Sequence, residues 1–389
     1  MSIISGWRAL IAMTLLVCLS AVGQAQEEGQ AGAQERFAKV DAWLSDNVKE
    51  MGGRAILLVY KDGKVVYVKS VNDMSRRQKM IDKYITRRMG AAADLKDYTM
   101  QSRQPIASCS KWLSAALVMT FVDEGRLNLS DTVGKYLPVL SQHGKGGITV
   151  QQCLSHLTGI KEPPLKESLR EMKNITSMEQ AIAAIAEMPM EGEPGKVFHY
   201  SNAGLQIAGA ILEKISGKSF ETLFAERLSA PLGLTNTDFG KGPVALPAGG
   251  ASSTPEDYMR FLVMILDKGV YKGVRILSEK SVAGMQVNRI TPDVKIAYAP
   301  AEAGKGLGSG TGPGSGKGLG SGADPGSGLG YGYGEWVMGS AVTSPGLFGS
   351  FPWVDPTKKY CAFLMTFYLK SDGRGDRYAT LKKLVDEVL

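Results

Sequence analysis

Apolar positions along this chain follow two periodicities, and the two are segregated. Phe37, Val40, Trp43, Leu44 and Val48 recur at helical spacing. The run AILLVYKDGKVVYVKSV then predicts two strands joined at Lys61-Asp62-Gly63, with Asp-Gly as the turn signal. From Ser108 to about residue 250 the pattern is mostly helical. KWLSAALVMTFVDEG has apolar residues on one face and Gly125 as its stop signal, and ITVQQCLSHLTGI, SMEQAIAAIAEM and GLQIAGAILEKISG predict further helices. A Ser-Thr-Pro-Glu start at Ser253 leads into YMRFLVMILDKG, again amphipathic. Strand-like runs return in GEWVMGS, LFGSFPWVD and KYCAFLMTFY, and RYATLKKLVDEVL closes the chain as a helix. Strand-rich ends around a helical middle predict an α+β fold whose sheet is built from both ends of the chain.

Composition narrows this further. A chain of 389 residues with 44% hydrophobic and 21% charged residues is globular, which excludes wholesale disorder, collagen-like structure and a disulfide-stapled mini-protein. The net charge of +7 comes from scattered basic residues, and no nucleic-acid recognition module accompanies them. The densest stretch, residues 75–96, holds Arg76, Arg77, Lys79, Lys83, Arg87, Arg88 and Lys96. It reads as a solvated helix or loop face, with an anionic partner as the alternative. At the N-terminus, Arg8, the apolar run Ala9–Val22 and Gly23-Gln24-Ala25 have the form of a signal peptide. The expectation is an exported protein, periplasmic or secreted, with a mature chain beginning near Gln26. An uncleaved membrane anchor is the other reading, and no later stretch is apolar enough to span a bilayer. Cys109, Cys153 and Cys361 would remain, read as buried small hydrophobes or, secondly, as one disulfide pair with a free thiol. Between Gly304 and Gly334, 15 residues are Gly, and GKGLGSGTGPGS is followed directly by the near-duplicate GKGLGSGADPGS. So few apolar side chains cannot offset the ordering entropy, and a flexible insert is expected.

The candidate chemistry begins at Ser108-Cys109-Ser110-Lys111, an S-x-x-K. A serine hydroxyl is a poor nucleophile until a base takes its proton, and a spacing of three along a helix puts both side chains on one face. At a helix start Ser108 would also have the positive dipole end and free N–H groups beneath it. Lys111 acts as a base only where desolvation or a cationic neighbour lowers its pKa; alone, the tetrapeptide is equally a surface serine and lysine. Tyr200-Ser201-Asn202 is the second candidate: the phenol can move protons, and the amide can orient the lysine and the substrate. His156 and His199 read as structural histidines, since no serine–histidine–acid constellation is visible.

Order and flanks carry more. IASCSKWLSAALVMTFVDEGRLNLSDTVGKYLP, then ITVQQCLSHLTGI, then EPGKVFHYSNAGLQIAGAILEKISGKSF, then PLGLTNTDF and PAGGASSTPEDYMRFLVMIL, form a succession that resembles the serine β-lactamase and penicillin-recognising hydrolase family, in its class C β-lactamase, esterase and D-aminopeptidase branch. The resemblance implies a β-lactamase/transpeptidase-like fold, an antiparallel sheet flanked by helices plus a helical domain. Residues 1–25 would be the signal peptide, 26–35 a disordered leader and 36–389 the catalytic domain. Its sheet part would be about 36–107 and 251–389, its helical part about 108–250, and 304–330 the Gly-rich insert. It implies that Ser108 is acylated, that Lys111 accepts its proton and Tyr200 assists, leaving open which of the two is the main base. Asn202 would hold the lysine and contact substrate. No metal or organic cofactor is implied.

The family's third motif, K-T-G or H-x-G, is replaced here by Ser344-Pro345-Gly346. Gly346 would permit close backbone approach of substrate, and Leu347 N–H would join Ser108 N–H as an oxyanion hole. Ser344, a substrate-binding position, cannot greet a carboxylate with positive charge, which favours a neutral ester or small amide. The reading is an exported serine hydrolase working through an acyl-enzyme on a small ester, amide or peptide. A β-lactamase or D-peptidase, or a non-catalytic ligand-binding protein, is the alternative.

Overall fold

The computed structural model describes residues 36–88, 94–164, 167, 168, 170, 174–240, 242–300 and 330–389. The expected signal peptide, the leader and all of the Gly-rich insert except Gly330 lie outside the described residues.

Seven strands form one antiparallel sheet: β1 (Arg54–Lys61), β2 (Lys64–Asn72), β3 (Gly330–Tyr331), β4 (Trp336–Met338), β5 (Ala341–Thr343), β6 (Phe351–Asp355) and β7 (Tyr360–Thr366), in the order β2-β1-β7-β6-β5-β4-β3. β1 pairs with β7 from Ala55 opposite Thr366 to Lys61 opposite Tyr360, so the two ends of the chain do meet in the sheet. The β1–β2 hairpin turns through Asp62 and Gly63, both at positive φ (50° and 81°), the geometry that a tight two-residue hairpin demands.

Both faces of the sheet are covered, which is why β1 and β7 read as continuous apolar runs rather than alternating ones. Ala55, Leu57, Val59, Ala362 and Leu364 pack on α1 (Ala38–Asn47) and the closing helix α2 (Arg374–Val388), through Val40, Leu44, Tyr378 and Leu381. Ile56, Leu58, Phe363 and Met365 face the opposite way, onto the helix Pro255–Leu266, with Tyr258 stacked on Phe363 at 4.9 Å. Each such large side chain removed from water contributes about 2 kcal/mol. Thr254 caps that helix by accepting from Asp257 N–H, as the Ser-Thr-Pro-Glu start predicts.

Two expectations are corrected in the helical part. The helix Ser110–Asp123 is buried on all sides from Ser110 to Phe121, not on one face, because it runs between the sheet side of the molecule and the helix Ala203–Ser216. The ITVQQCLSHLTGI segment is helical only over Val150–Leu154; His156 (φ 59°) and Gly159 (φ 70°) turn the chain out of the helix. Cys109, Cys153 and Cys361 are free and fully buried, so the packing role holds and no disulfide joins them. The basic stretch forms a helix, Arg76–Arg88, with Arg76, Arg77, Lys79, Lys83 and Arg87 exposed.

Candidate active site

Gln104–Pro105 pairs with Ser252–Ser253, and Ile106 N–H donates to Ala251 O at 2.9 Å. The chain then turns sharply: Ala107 sits at φ 44°, a conformation a non-glycine residue adopts only where its surroundings impose it. One 3-10 turn, Ala107–Cys109, leads into the buried helix, with Ser108 at its head. Ser110 Oγ accepts from Ala251 N–H (3.0 Å), fastening this turn to the loop that carries Ala248.

Lys111 lies one turn further on and is only 1% exposed. Its Nζ is 3.2 Å from Ser108 Oγ, 3.1 Å from Asn202 Oδ1 and 2.8 Å from Ala248 O. Burial lowers its pKa to about 8, against the Glu162 carboxylate, which pulls it back up. The neutral amine has two N–H donors and one lone pair. Asn202 Oδ1 and Ala248 O can only accept, so they take both donors and leave the lone pair facing the Ser108 hydroxyl. By this geometry the deprotonated lysine is aimed at the proton a nucleophilic serine must lose.

Asn202 is held from behind. Its Nδ2 donates to Glu162 Oε1 (2.8 Å), while Glu162 Oε2 accepts from the backbone N–H of Asn202 and of Ala203 (3.0 Å for the latter). The carboxylate thus caps the helix Ala203–Ser216, where the dipole favours negative charge, and fixes the amide so that Oδ1 faces Lys111.

Tyr200 enters the same site with its ring 4.8 Å from Lys111 Nζ. It stacks on Trp336 (5.2 Å) and leans on His156 (4.6 Å). Buried His156 accepts from Ser201 N–H at Nδ1 (3.3 Å), so Nε2 carries the proton and donates to Tyr331 Oη at 3.0 Å. Burial, with Lys111 nearby, drives its pKa well down and keeps the ring neutral. His199 pairs with Glu191 through Nδ1. His156 is buried among its partners, the structural place expected of it, whereas His199 and Glu191 line the cavity wall.

Ser108, Tyr200, Asn202, Gly346 and Leu347 line one cavity of about 990 Å³. Gly346 is there of necessity, since a Cβ would lie 2.3 Å from Ile106 O. Its own N–H donates to Ser350 O (2.8 Å), whereas Ser108 N–H and Leu347 N–H make no hydrogen bond among the described residues. Ser344 departs from its expected place. It is buried and absent from the cavity wall, and its hydroxyl lies 3.1 Å from both Ser108 O and Gly334 O. It tethers the main chain behind the serine rather than meeting substrate.

Sequence reasoning missed three contributors. Glu162 was visible only as an acid in Lys-Glu-Pro-Pro just after the His156 segment. The Ala248 carbonyl leaves no residue-type signal at all. Arg374, buried at the start of α2, donates to Leu347 O (3.0 Å), Tyr368 O (3.2 Å) and Lys370 O (3.0 Å), fixing the strand-edge turn beside the serine. Among the described residues no group of three or more His, Cys, Asp or Glu could hold a metal ion, and no helix is long and apolar enough to cross a membrane.

In this α+β fold the half-buried Ser108 and the buried Lys111 stand together at the head of a central helix. The chain belongs to the beta-lactamase family, whose profile matches residues 41–386. Protein Rv1367c of Mycobacterium tuberculosis is 27% identical over 258 residues, 52% of this chain and 64% of that protein. The D-alanyl-D-alanine-carboxypeptidase/endopeptidase AmpH of Escherichia coli is 25% identical over 191 residues, 43% of this chain and 50% of AmpH. The matches thus span about half to two thirds of these relatives' lengths. Among solved structures, a putative beta-lactamase from Bacteroides dorei is 25% identical at a TM-score of 0.70, covering 90% of this chain and 98% of its own. EstCE1, a hydrolase with promiscuous acyltransferase activity, shares the fold at 17% identity and a TM-score of 0.66, covering 91% of this chain and 99% of its own.

Proposed function

We propose that this protein is an exported serine hydrolase that cleaves small neutral esters through an acyl-enzyme on Ser108. The observation that carries the proposal is the Lys111 amine, desolvated, with a pKa near 8 and 3.2 Å from Ser108 Oγ. At pH 7 roughly one tenth of it is neutral and able to take the serine proton. Ser108 Oγ then attacks the ester carbonyl. The unengaged N–H groups of Ser108 and Leu347 receive the developing oxyanion, each such donor supplying about 3 kcal/mol in the transition state. The proton passes to the leaving alkoxide from Lys111, with Tyr200 beside it, and a water repeats the sequence on the acyl-enzyme.

The preference for uncharged substrates rests on Ser344, which stands where the family carries a cation and whose hydroxyl is spent on main-chain carbonyls. Part of the cavity wall supports it: Ala181, Ala184 and Ile185 of the helix Met178–Glu187, with Met188 just after it, are apolar. D-peptide cleavage is the second reading, supported by the similarity to AmpH. The test is labelling by a fluorophosphonate and turnover of p-nitrophenyl acetate, compared with Ser108→Ala and set beside D-alanyl-D-alanine peptides. Wild-type labelling and ester turnover, both abolished in the variant, are expected. Activity persisting in Ser108→Ala removes the nucleophile assigned here, and a wild type that neither labels nor turns over points to a ligand-binding protein.

A further inference from the structure

The helix Arg76–Arg88 takes no part in the site described above, yet its surface is unlike the rest of the chain. Its 13 residues hold Arg76, Arg77, Lys79, Lys83, Arg87 and Arg88 against one acid, Asp82. That acid is buried and faces inward, paired with Arg54 at 3.2 Å. The outward side is therefore cationic without internal neutralisation: none of Arg76, Arg77, Lys79, Lys83 and Arg87 forms an ion pair among the described residues. The chain as a whole carries a net charge of only +7, so this one helix concentrates an excess otherwise spread thin. Set among these cations are Met80, Ile81 and Tyr84, exposed to 66%, 46% and 61%. At helical spacing these three side chains fall on one side of the cylinder.

Cations alone would suit any polyanion. Exposed apolar side chains between them gain nothing from a soluble polyanion, but they gain burial where headgroups meet acyl chains. The two features together select one occupant. We propose that the outward face of this helix docks on an anionic phospholipid bilayer, the cations against the phosphate-bearing headgroups and Met80 and Ile81 inserted between them. The helix is also tied toward the cavity. Gln78 Nε2 donates to Lys49 O (2.7 Å), the adjoining Gly52 packs directly against Phe367 and Tyr368, and the next residue, Leu369, lines the cavity and is itself exposed. The proposal stands apart from the reaction assigned to Ser108, and either can fail without the other.

The test is co-sedimentation of the full chain with phosphatidylcholine vesicles, with and without phosphatidylglycerol, at low and high salt. Wild type is expected to partition about tenfold or more in favour of the anionic vesicles, and to lose that preference as salt screens the headgroups. Two variants separate the contributions: Lys79→Glu with Lys83→Glu, and Met80→Ser with Ile81→Ser. Each is expected to lower partitioning about fivefold or more while p-nitrophenyl acetate turnover stays within about twofold of wild type. Equal binding to neutral and anionic vesicles, as an apolar N-terminal segment would give, overturns the proposal. So does full retention of binding by Met80→Ser/Ile81→Ser with displacement of wild type by soluble polyphosphate, which would mark a site for polyanions.

Discussion

Two buried ionisable side chains, Lys111 and Glu335, belong to neighbouring stretches of main chain, and their surroundings differ. Lys111, on the central helix, is enclosed by Ser108 Oγ, Asn202 Oδ1 and Ala248 O. Glu335 belongs to the turn between β3 and β4, whose preceding Gly334 approaches so near that a Cβ there would lie 2.5 Å from Lys111 O. It is fully buried, and neither carboxylate oxygen has a hydrogen-bond partner among the described residues. Desolvation acts on both in the same sense, toward the neutral form: it lowers the lysine to about 8 and raises the carboxyl well above its ordinary range. The consequences are opposite. A neutral amine is a base with a lone pair to offer, whereas a neutral carboxyl is an idle acid. Burial alone does not make a catalytic group; partners that fix where the lone pair points do.

The largest expected effect follows from removing the partnered group. Lys111→Met keeps the length and apolar stem of the side chain but has no lone pair basic enough to take the serine proton. Turnover of p-nitrophenyl acetate should fall about a thousandfold, with the circular dichroism spectrum unchanged. A loss of less than about tenfold would assign the base to Tyr200 instead.

The next effect tests how the partners tune the amine. If neutral Lys111 is the base, the rate falls about tenfold per pH unit below pH 8, because only the deprotonated form is competent. Glu162 holds that pKa up, so Glu162→Gln should move the acidic limb of the pH–rate profile to lower pH. The same change weakens the grip on Asn202, and the plateau rate should drop about tenfold. A lower plateau with an unmoved limb would mean that Glu162 only positions the amide.

How much of this was legible in the chain depends on whether a feature is local. The β1–β2 hairpin was, because Asp62-Gly63 specifies its turn within two residues. So was the pairing of Ser108 with Lys111, since helix pitch alone brings them together. The resemblance marked Gly346 for close approach of substrate, whereas the approach the structure shows is to Ile106 O. The features that escaped are set by distant chain. Whether the helix Ser110–Asp123 shows one face or is enclosed depends on what packs beyond it. Ser344 reads as substrate-facing by position, yet the backbone carbonyls of Ser108 and Gly334 claim its hydroxyl. Ala248 contributes a carbonyl, which every residue has, so no sequence pattern could single it out.

The smallest expected effect comes from the unpartnered group, and it appears in stability rather than rate. In the unfolded chain Glu335 titrates near 4.5; in the folded protein its pKa is raised well above that. Between the two values the folded protein binds a proton that the unfolded chain has released. Its contribution to stability is therefore complete below about pH 4.5 and is lost as pH rises, by about 1.4 kcal/mol per unit, until the folded pKa is passed. Glu335→Gln has nearly the same shape and does not titrate, so it lacks this dependence. The melting temperature of the variant, taken relative to wild type, should climb as the pH rises above about 4.5. Ester turnover should stay within a few-fold of wild type, because Glu335 makes no contact with the serine, the lysine or the amide. Other titrating groups are common to both proteins and cancel in the difference. A melting-temperature difference that stays constant across that range would show the Glu335 carboxylate ionised in the folded protein, and the contrast with Lys111 would then collapse.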